Sequence, residues 1–324
     1  MKLGDKIKSN YVPIGGQDIL DGNYLKNSSV PLTSLIEFPS VDKKYVAGEN
    51  ITAGKACGLW GYIIDTNDPY HNAAQATYVN SANPTTNYDG STPLQTNNAA
   101  LHGLLSWTGL PAIPSGTGLT ILKIEVIFKY NVFDGSPDQA IFDINTATFD
   151  ETTATWNIKP TKGTEELGYG FTAGSGVKEG TWVELTSTQY NNLKTNGLTS
   201  RCLTTFALNF YDEDNASPPQ IKVRFTYEIQ DGKAYLALGL TQKYADAFRG
   251  IAQNTVLKGQ DVVVRLEGID KHQSGLTAYS NYELSDTPGS IQTGTTATWD
   301  KIIGNARSST ELQIKYTLIA STQI

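Results

Sequence analysis

The sequence predicts an all-β protein: a β-sandwich inserted into a small, discontinuous β domain, behind an extended N-terminal arm. Three observations predict it. Thr, Asn, Gly and Tyr are plentiful, with 30 Gly and 17 Tyr in 324 residues, and long Ala/Leu/Glu/Lys runs are missing. That favours strands and turns over helices. Two long segments alternate apolar and polar residues with period two. The texture of the chain also changes near residues 70–76 and changes back near 230–233, as it would where one domain interrupts another. The length leaves room for two domains. A hydrophobic content of 39% with 18% charge supplies a sizeable core.

Residues 1–42 are polar and punctuated by Gly and Pro, with one apolar patch, "VPLTSLIEFPS". They read as an arm and not a domain. The arm is either a loose terminus or an anchor that docks on a neighbour through Leu32, Leu35, Ile36 and Phe38. From Tyr45 to Ile64, "YVAGENITAGKACGLWGYII" sets short apolar pieces between Gly turns, as small antiparallel sheets do. The following "NDPYHNAAQATYVNSANPTTNYDGSTPL" loses apolar content and gains turn residues. In "LTILKIEVIFKY", Leu122, Ile124, Val126, Phe128 and Tyr130 point inward, while Lys123, Glu125 and Lys129 point to water. "QIKVRFTYEI" repeats that design with Ile221, Val223, Phe225, Tyr227 and Ile229 inside. "LTTFALNF" suits a central strand. "STQYNNLKTNG" is the one helical stretch, capped by Ser187 and ended by Gly197. After Gly232 come further strands separated by Gly turns. "ELQIKYTLIA" closes the chain with Leu312, Ile314, Tyr316 and Leu318 on one face. In "FDETTATWNIKP", Phe149 to Pro160, "ATW" reads as a short strand that places Trp156 in the core.

The chemistry these residues offer is limited. The net charge of -7, without a Lys/Arg stripe, excludes a nucleic-acid scaffold. No apolar run is long enough to span a membrane. The start, "MKLGDKIKSNYVPIGG", lacks the apolar run of a signal peptide, so the chain is expected to be made and folded in a cytoplasm. Cys57 and Cys202 are either two buried small hydrophobes or a long-range disulfide. His71, His102 and His272 each lie in a turn-rich context, and no HExxH, GxSxG or phosphate-loop motif is present. The expectation is a protein that is not an enzyme, with no catalytic residues. "GFTAGSGVKEG" reads as a flexible loop. The adjacent Asp150 and Glu151 would point to opposite faces of a strand, which argues against a paired-carboxylate site. "YDEDNAS" places Asp212, Glu213 and Asp214 between two strands. Clustered carboxylates suit Ca2+, and a solvated acidic hairpin is the alternative. Asp134 and Asp138 in "FDGSPDQ" form a weaker set of the same kind.

Several segments, in order, resemble the DNRLRE domain. They are residues 76–97, 110–130, 149–160, 180–193 and 206–228. The matching motifs are Asn87-Tyr88-Asp89-Gly90, Ile113-Pro114-Ser115-Gly116, Thr155-Trp156-Asn157 and Pro219-Gln220-Ile221. Trp107 in "LLSWTGL" stands where that family commonly has a Phe-Asp pair. The resemblance implies a jelly-roll β-sandwich over residues 76–230. Some members of that family bind acidic polysaccharides, so it also implies glycan binding.

The flanks resemble a second module, found in phage tail-fibre and head-decoration proteins. It is carried by Gly48, Glu49, Ile51 and Gly54, then Gly250-Ile251-Ala252, Gly275-Leu276-Thr277, Tyr282-Glu283-Leu284-Ser285 and Ile303-Gly304-Asn305-Ala306. On this reading residues 43–75 and 231–324 form one virion-type β domain, and 1–42 are its arm. The resemblance implies a bacteriophage structural protein: a head fibre, a capsid decoration or a tail-associated spike, assembled in the host cytoplasm. Small Gly-rich cores gain from oligomer contacts, so a homotrimer is expected, with capsid or tail subunits as partners. A bacterial surface or secreted polysaccharide-binding protein is the alternative. Tyr88, Tyr169 and Tyr211 lie in expected loops or strand ends. They are the candidate platforms for a host cell-surface glycan.

Overall fold

The computed structural model describes residues 40–90, 94–96, 100–135, 139–170, 176–202, 208–293 and 302–314. At 94–95, 132–135, 139–140, 164–170, 202 and 208–210 it describes the backbone only. Leu32, Leu35, Ile36, Phe38 and Asp138 lie outside these residues. Regular structure is almost all strand, in two antiparallel sheets, as an all-β chain requires. Among the described residues, no helix is long and apolar enough to cross a membrane.

The strands run in chain order. β1 (Val41–Val46) and β2 (Ala56–Gly58) come first. Then follow β3 (Gly61–Asp65), β4 (His71–Asn80), β5 (Leu94–Thr96), β6 (Leu101–Trp107), β7 (Leu119–Gly135), β8 (Gln139–Asn145), β9 (Lys162–Gly170), β10 (Gly176–Glu179) and β11 (Val183–Leu185). Helix α1 (Ser187–Asn196) leads into β12 (Leu198–Cys202), β13 (Leu208–Phe210) and β14 (Gln220–Ile229). The chain ends with β15 (Tyr235–Leu236), α2 (Gln242–Asp246), β16 (Phe248–Ala252), β17 (Asp261–Asp270), β18 (Asn281–Leu284), β19 (Ile291–Gln292), β20 (Ile302–Ala306) and β21 (Leu312–Ile314).

The chain divides into two compact units. Among the described residues, one joins those up to Gly58 with those from Leu236 onward; the other is Leu59–Tyr235. The sequence reading assigned residues 59–75 to the flanking domain. They belong to the central unit, because β3 pairs along Phe225–Ile229 of β14 and β4 pairs with β6 from Ala73 to Asn80.

In the central unit the strand order is β5-β13-β7-β14-β4-β6-β12-β8-β9. Strands β14 and β4 share only two register pairs, Gln220↔Asn72 and Ile221↔His71, so the sheet turns a corner there. Its two halves face each other across one core. Ile124, Val126, Phe128, Tyr130, Ile221, Val223 and Phe225 come from one half, and Ala76, Tyr78, Leu105, Trp107, Phe142, Ile144 and Leu198 from the other. Phe128 stacks on Phe142 at 4.9 Å, and Tyr130 on Phe142 at 5.5 Å. Helix α1 closes the core with Tyr190 and Leu193.

Period two holds along β7 from Ile124 to Tyr130 and breaks ahead of Ile124. Leu122, expected inside, is 41% exposed. The register with β14 shifts between Thr226 and Tyr227, so Ile121 opposes Tyr227 and Leu122 is the extra residue. A bulge of this kind reverses the faces beyond it. Accordingly Ile121 and Tyr227 pack against the core, while Thr226 and Glu228 on the other face are also buried.

Other expectations change for local reasons. The turn-rich stretch before Asn80 contains strand β4, whose small Ala and Thr side chains suit an interior strand. The cap of α1 is Thr186 and not Ser187. The Thr186 hydroxyl accepts the Gln189 amide while the Gln189 side chain accepts the Thr186 amide. Gly197 ends the helix at φ 70°, and a Cβ there would collide with the Leu105 carbonyl oxygen. Within "GFTAGSGVKEG", Gly176–Glu179 is a strand paired with β7. "ATW" is not a strand: 151–159 is a run of turns. A short helix, α2, interrupts the strands after Gly232. Cys57 is a free, buried thiol, pushed up to about 12 by burial and so unreactive.

In the flanking unit the order is β15-β2-β16-β17-β21-β20-β18-β19, with β1 on β17. Its core is built from Phe248, Ile251, Tyr282, Leu284, Ile303, Leu312 and Ile314, among others.

Candidate cation-binding site

The turns between Phe149 and Pro160 cover one face of the β4-β6 pair. Val79, Leu104 and Ala154 form a small buried cluster there, with Phe149 and Trp156 packed against it. Trp156 is therefore half-buried rather than central. Its ring lies 4.8 Å from that of His102, and the Lys159 ammonium sits 3.6 Å above it. His102 is on a strand, not in a turn. It is 9% exposed, and its Nδ1 is buried without a hydrogen-bond partner. Burial lowers its pKa to about 4, helped by the charges of Lys159, Lys162 and Arg201. Beside it the fully buried Asp143 accepts Arg201 Nε at 2.8 Å and faces Lys162 at 3.5 Å.

The same turns separate Asp150 from Glu151. The Asp150 carboxylate stays in its own turn and accepts both the amide and the hydroxyl of Thr152. The Glu151 carboxylate reaches β4 and accepts the Ala76 amide at 2.9 Å. Asn87 holds this arrangement in place. Its side-chain amide donates to the carbonyls of Glu151 and Ala154, at 2.7 and 2.8 Å, and its oxygen accepts the Asp89 amide. The Asn-Tyr-Asp-Gly motif thus fastens the 150–154 turn and presents Asp89 to it.

Three carboxylates converge as a result. Oxygens of Asp89, Glu151 and Glu213 lie within 4.8 Å of one another. Two oxygens that each lie about 2.4 Å from one Ca2+ are at most about 4.8 Å apart, so the spacing suits shared ligation. The Glu213 carboxyl is pushed up to about 8, first by burial and then by the negative charge of Glu151 and Asp212. Glu151 is raised as well, by burial and by Asp89 and Asp214. A proton between Glu151 and Glu213 relieves this repulsion; a divalent cation would relieve it more fully.

Of the acidic run proposed from sequence, only Glu213 joins this cluster. Asp212 is buried, 3% exposed, and Asp214 is exposed. Asp89 and Glu151 were missed as ligands because they are distant in sequence. The Asn87 motif and the acidic pair were visible, but nothing in the sequence joins them.

The tyrosines are placed differently from one another. Tyr88 stacks on Tyr78 at 4.3 Å, and its hydroxyl accepts the Asn83 side chain at 3.1 Å. One ring face is therefore already covered. Tyr211 is half-buried, and its amide donates to the Asn131 carbonyl. For Tyr169 in β9, and for Asp134 in β7, only the backbone is described. Compared with models of known protein families and with curated proteins, the chain matches none.

Proposed function

We propose that the protein is a non-enzymatic structural component of a bacteriophage particle that displays its central sandwich for attachment. The observation that carries this reading is the interrupted flanking unit. A small β unit whose chain is broken at Gly58 and resumed at Leu236 by a complete second unit is a carrier with a guest. The resemblance of the flanks to virion modules supports the particle, and that of the centre supports glycan recognition. The histidines support a non-enzymatic role. His71 and His272 are each tied to an aspartate, at 2.8 and 2.9 Å, and His102 is buried against Trp156. Asp89, Glu151 and Glu213 hold Ca2+ and so fasten to one another the three segments that carry them. Gold-labelled antibody against the central unit tests the function. Labelling of intact phage particles is expected. Particles that incorporate no chain would reject the reading.

A further inference from the structure

The flanking unit contains a cavity that none of the above uses. Its volume is about 380 Å³, and its walls are Ala53–Lys55, His272–Leu276, Tyr282 and Gly289–Ile291. That is large enough for a small organic ligand. Two of the wall segments, Ala53–Lys55 and His272–Leu276, touch each other, and the buried Asp270 orders the second of them. Its carboxylate, fully buried, accepts His272 Nδ1 at 2.9 Å, Gln253 Nε2 at 3.0 Å and Gln273 Nε2 at 2.6 Å. Gln273 Nε2 also donates to the Gly54 carbonyl at 2.7 Å. Gly54, at φ +85°, lets the walls meet: a Cβ there would lie 2.6 Å from the His272 carbonyl oxygen. The walls are thus pre-organised.

Apart from the His272 ring, their free groups are donors. Asp270 accepts from His272 Nδ1, and with the proton there Nε2 is an acceptor that takes no part in holding an anion. Among the described residues, Lys55 has no ion-pair partner. The Ser274 and Ser290 hydroxyls and the backbone amides of Gln273, Ser274 and Gly275 are likewise uncommitted. No carboxylate lines the cavity. The one behind it, Asp270, is already saturated and also faces the Arg265 guanidinium.

We infer that this cavity binds a small organic phosphate, with Lys55, Ser274, Ser290 and the Gln273–Gly275 amides around the phosphate oxygens. A tetrahedral oxyanion with three terminal oxygens uses more of these donors than a planar carboxylate does. The cavity exceeds a bare phosphate, so the carbon skeleton occupies the remainder, over Leu276 and Tyr282.

The test is calorimetry and amide NMR on the full chain, with glycerol 3-phosphate as probe and glycerol as its uncharged control. Saturable binding of the phosphate alone is expected, with chemical-shift changes at Gln273, Ser274 and Gly275. Lys55→Gln and Ser274→Ala, both at exposed positions, should each weaken it about tenfold, the value of one charge-assisted hydrogen bond. Absence of saturable binding would overturn the inference. So would equal binding of glycerol, or unchanged affinity in both variants.

Discussion

At the residue scale the molecule carries two groups whose charged form opposes their burial. Glu213 has a folded pKa of about 8, above its ordinary value of 4.5. The folded state therefore holds a proton that the unfolded chain has lost. Stability from this group is fully present below pH 4.5 and is lost as pH rises through 8. The expected result is a thermal midpoint that falls between pH 5 and 8 without Ca2+ and recovers when Ca2+ is added. Glu213→Gln should remove both the slope and the Ca2+ response. A slope that persists in that variant would place its origin elsewhere. His102 has the opposite sign. Its folded pKa, about 4, lies below the ordinary 6.5, so stability is present above 6.5 and lost as pH falls through 4. His102→Leu should flatten this acid limb in unfolding curves recorded from pH 7 to 4. The acidic run and the histidines were legible as residues. Their environments were not, because burial and like-charge neighbours come from segments far apart in sequence.

At the element scale, hydrogen bonds between neighbours and a single inserted residue decide what the periodicity leaves open. The capping box fixes the start of α1. Thr186→Ala should cost about 1 kcal/mol, measured by urea denaturation, whereas Ser187→Ala should cost little. The bulge at Leu122 decides which face of β7 meets the core. The two long alternating strands were readable because amphipathic alternation is a local property. β4 was not. Its Ala and Thr residues carry little apolar signal, and it is a strand because β6 hydrogen-bonds along it. "ATW" failed in the converse way. Its β propensity is overridden by the Asp150 and Asn87 hydrogen bonds, which hold the segment in turns.

At the scale of the whole molecule the boundary at Leu59 has a direct consequence. A fragment covering residues 59–235 keeps β3 and the whole of β4, whereas 76–230 removes β3 and truncates β4. Both should unfold cooperatively in calorimetry, the longer fragment at the higher temperature. Equal midpoints would mean that β3 adds nothing to the sandwich. The homotrimer expected from the sequence is tested by light scattering on the full chain. A monomer mass at micromolar concentration would reject it.

The sequence by itself determined the all-β class, the long alternating strands, the short helix and the presence of an interruption in the flanking domain. Each of these is written in composition or in spacing along the chain, which the backbone reads locally. Only the tertiary structure decided where the interruption begins, which face Leu122 takes, and that Asp89, Glu151 and Glu213 meet. These depend on strand register and on a few side-chain hydrogen bonds between distant segments. Asn87, tying one loop to the turn after Asp150, is the clearest of them: its two bonds bring the Asp89 loop to Glu151, and nothing within several residues of it announces that partner.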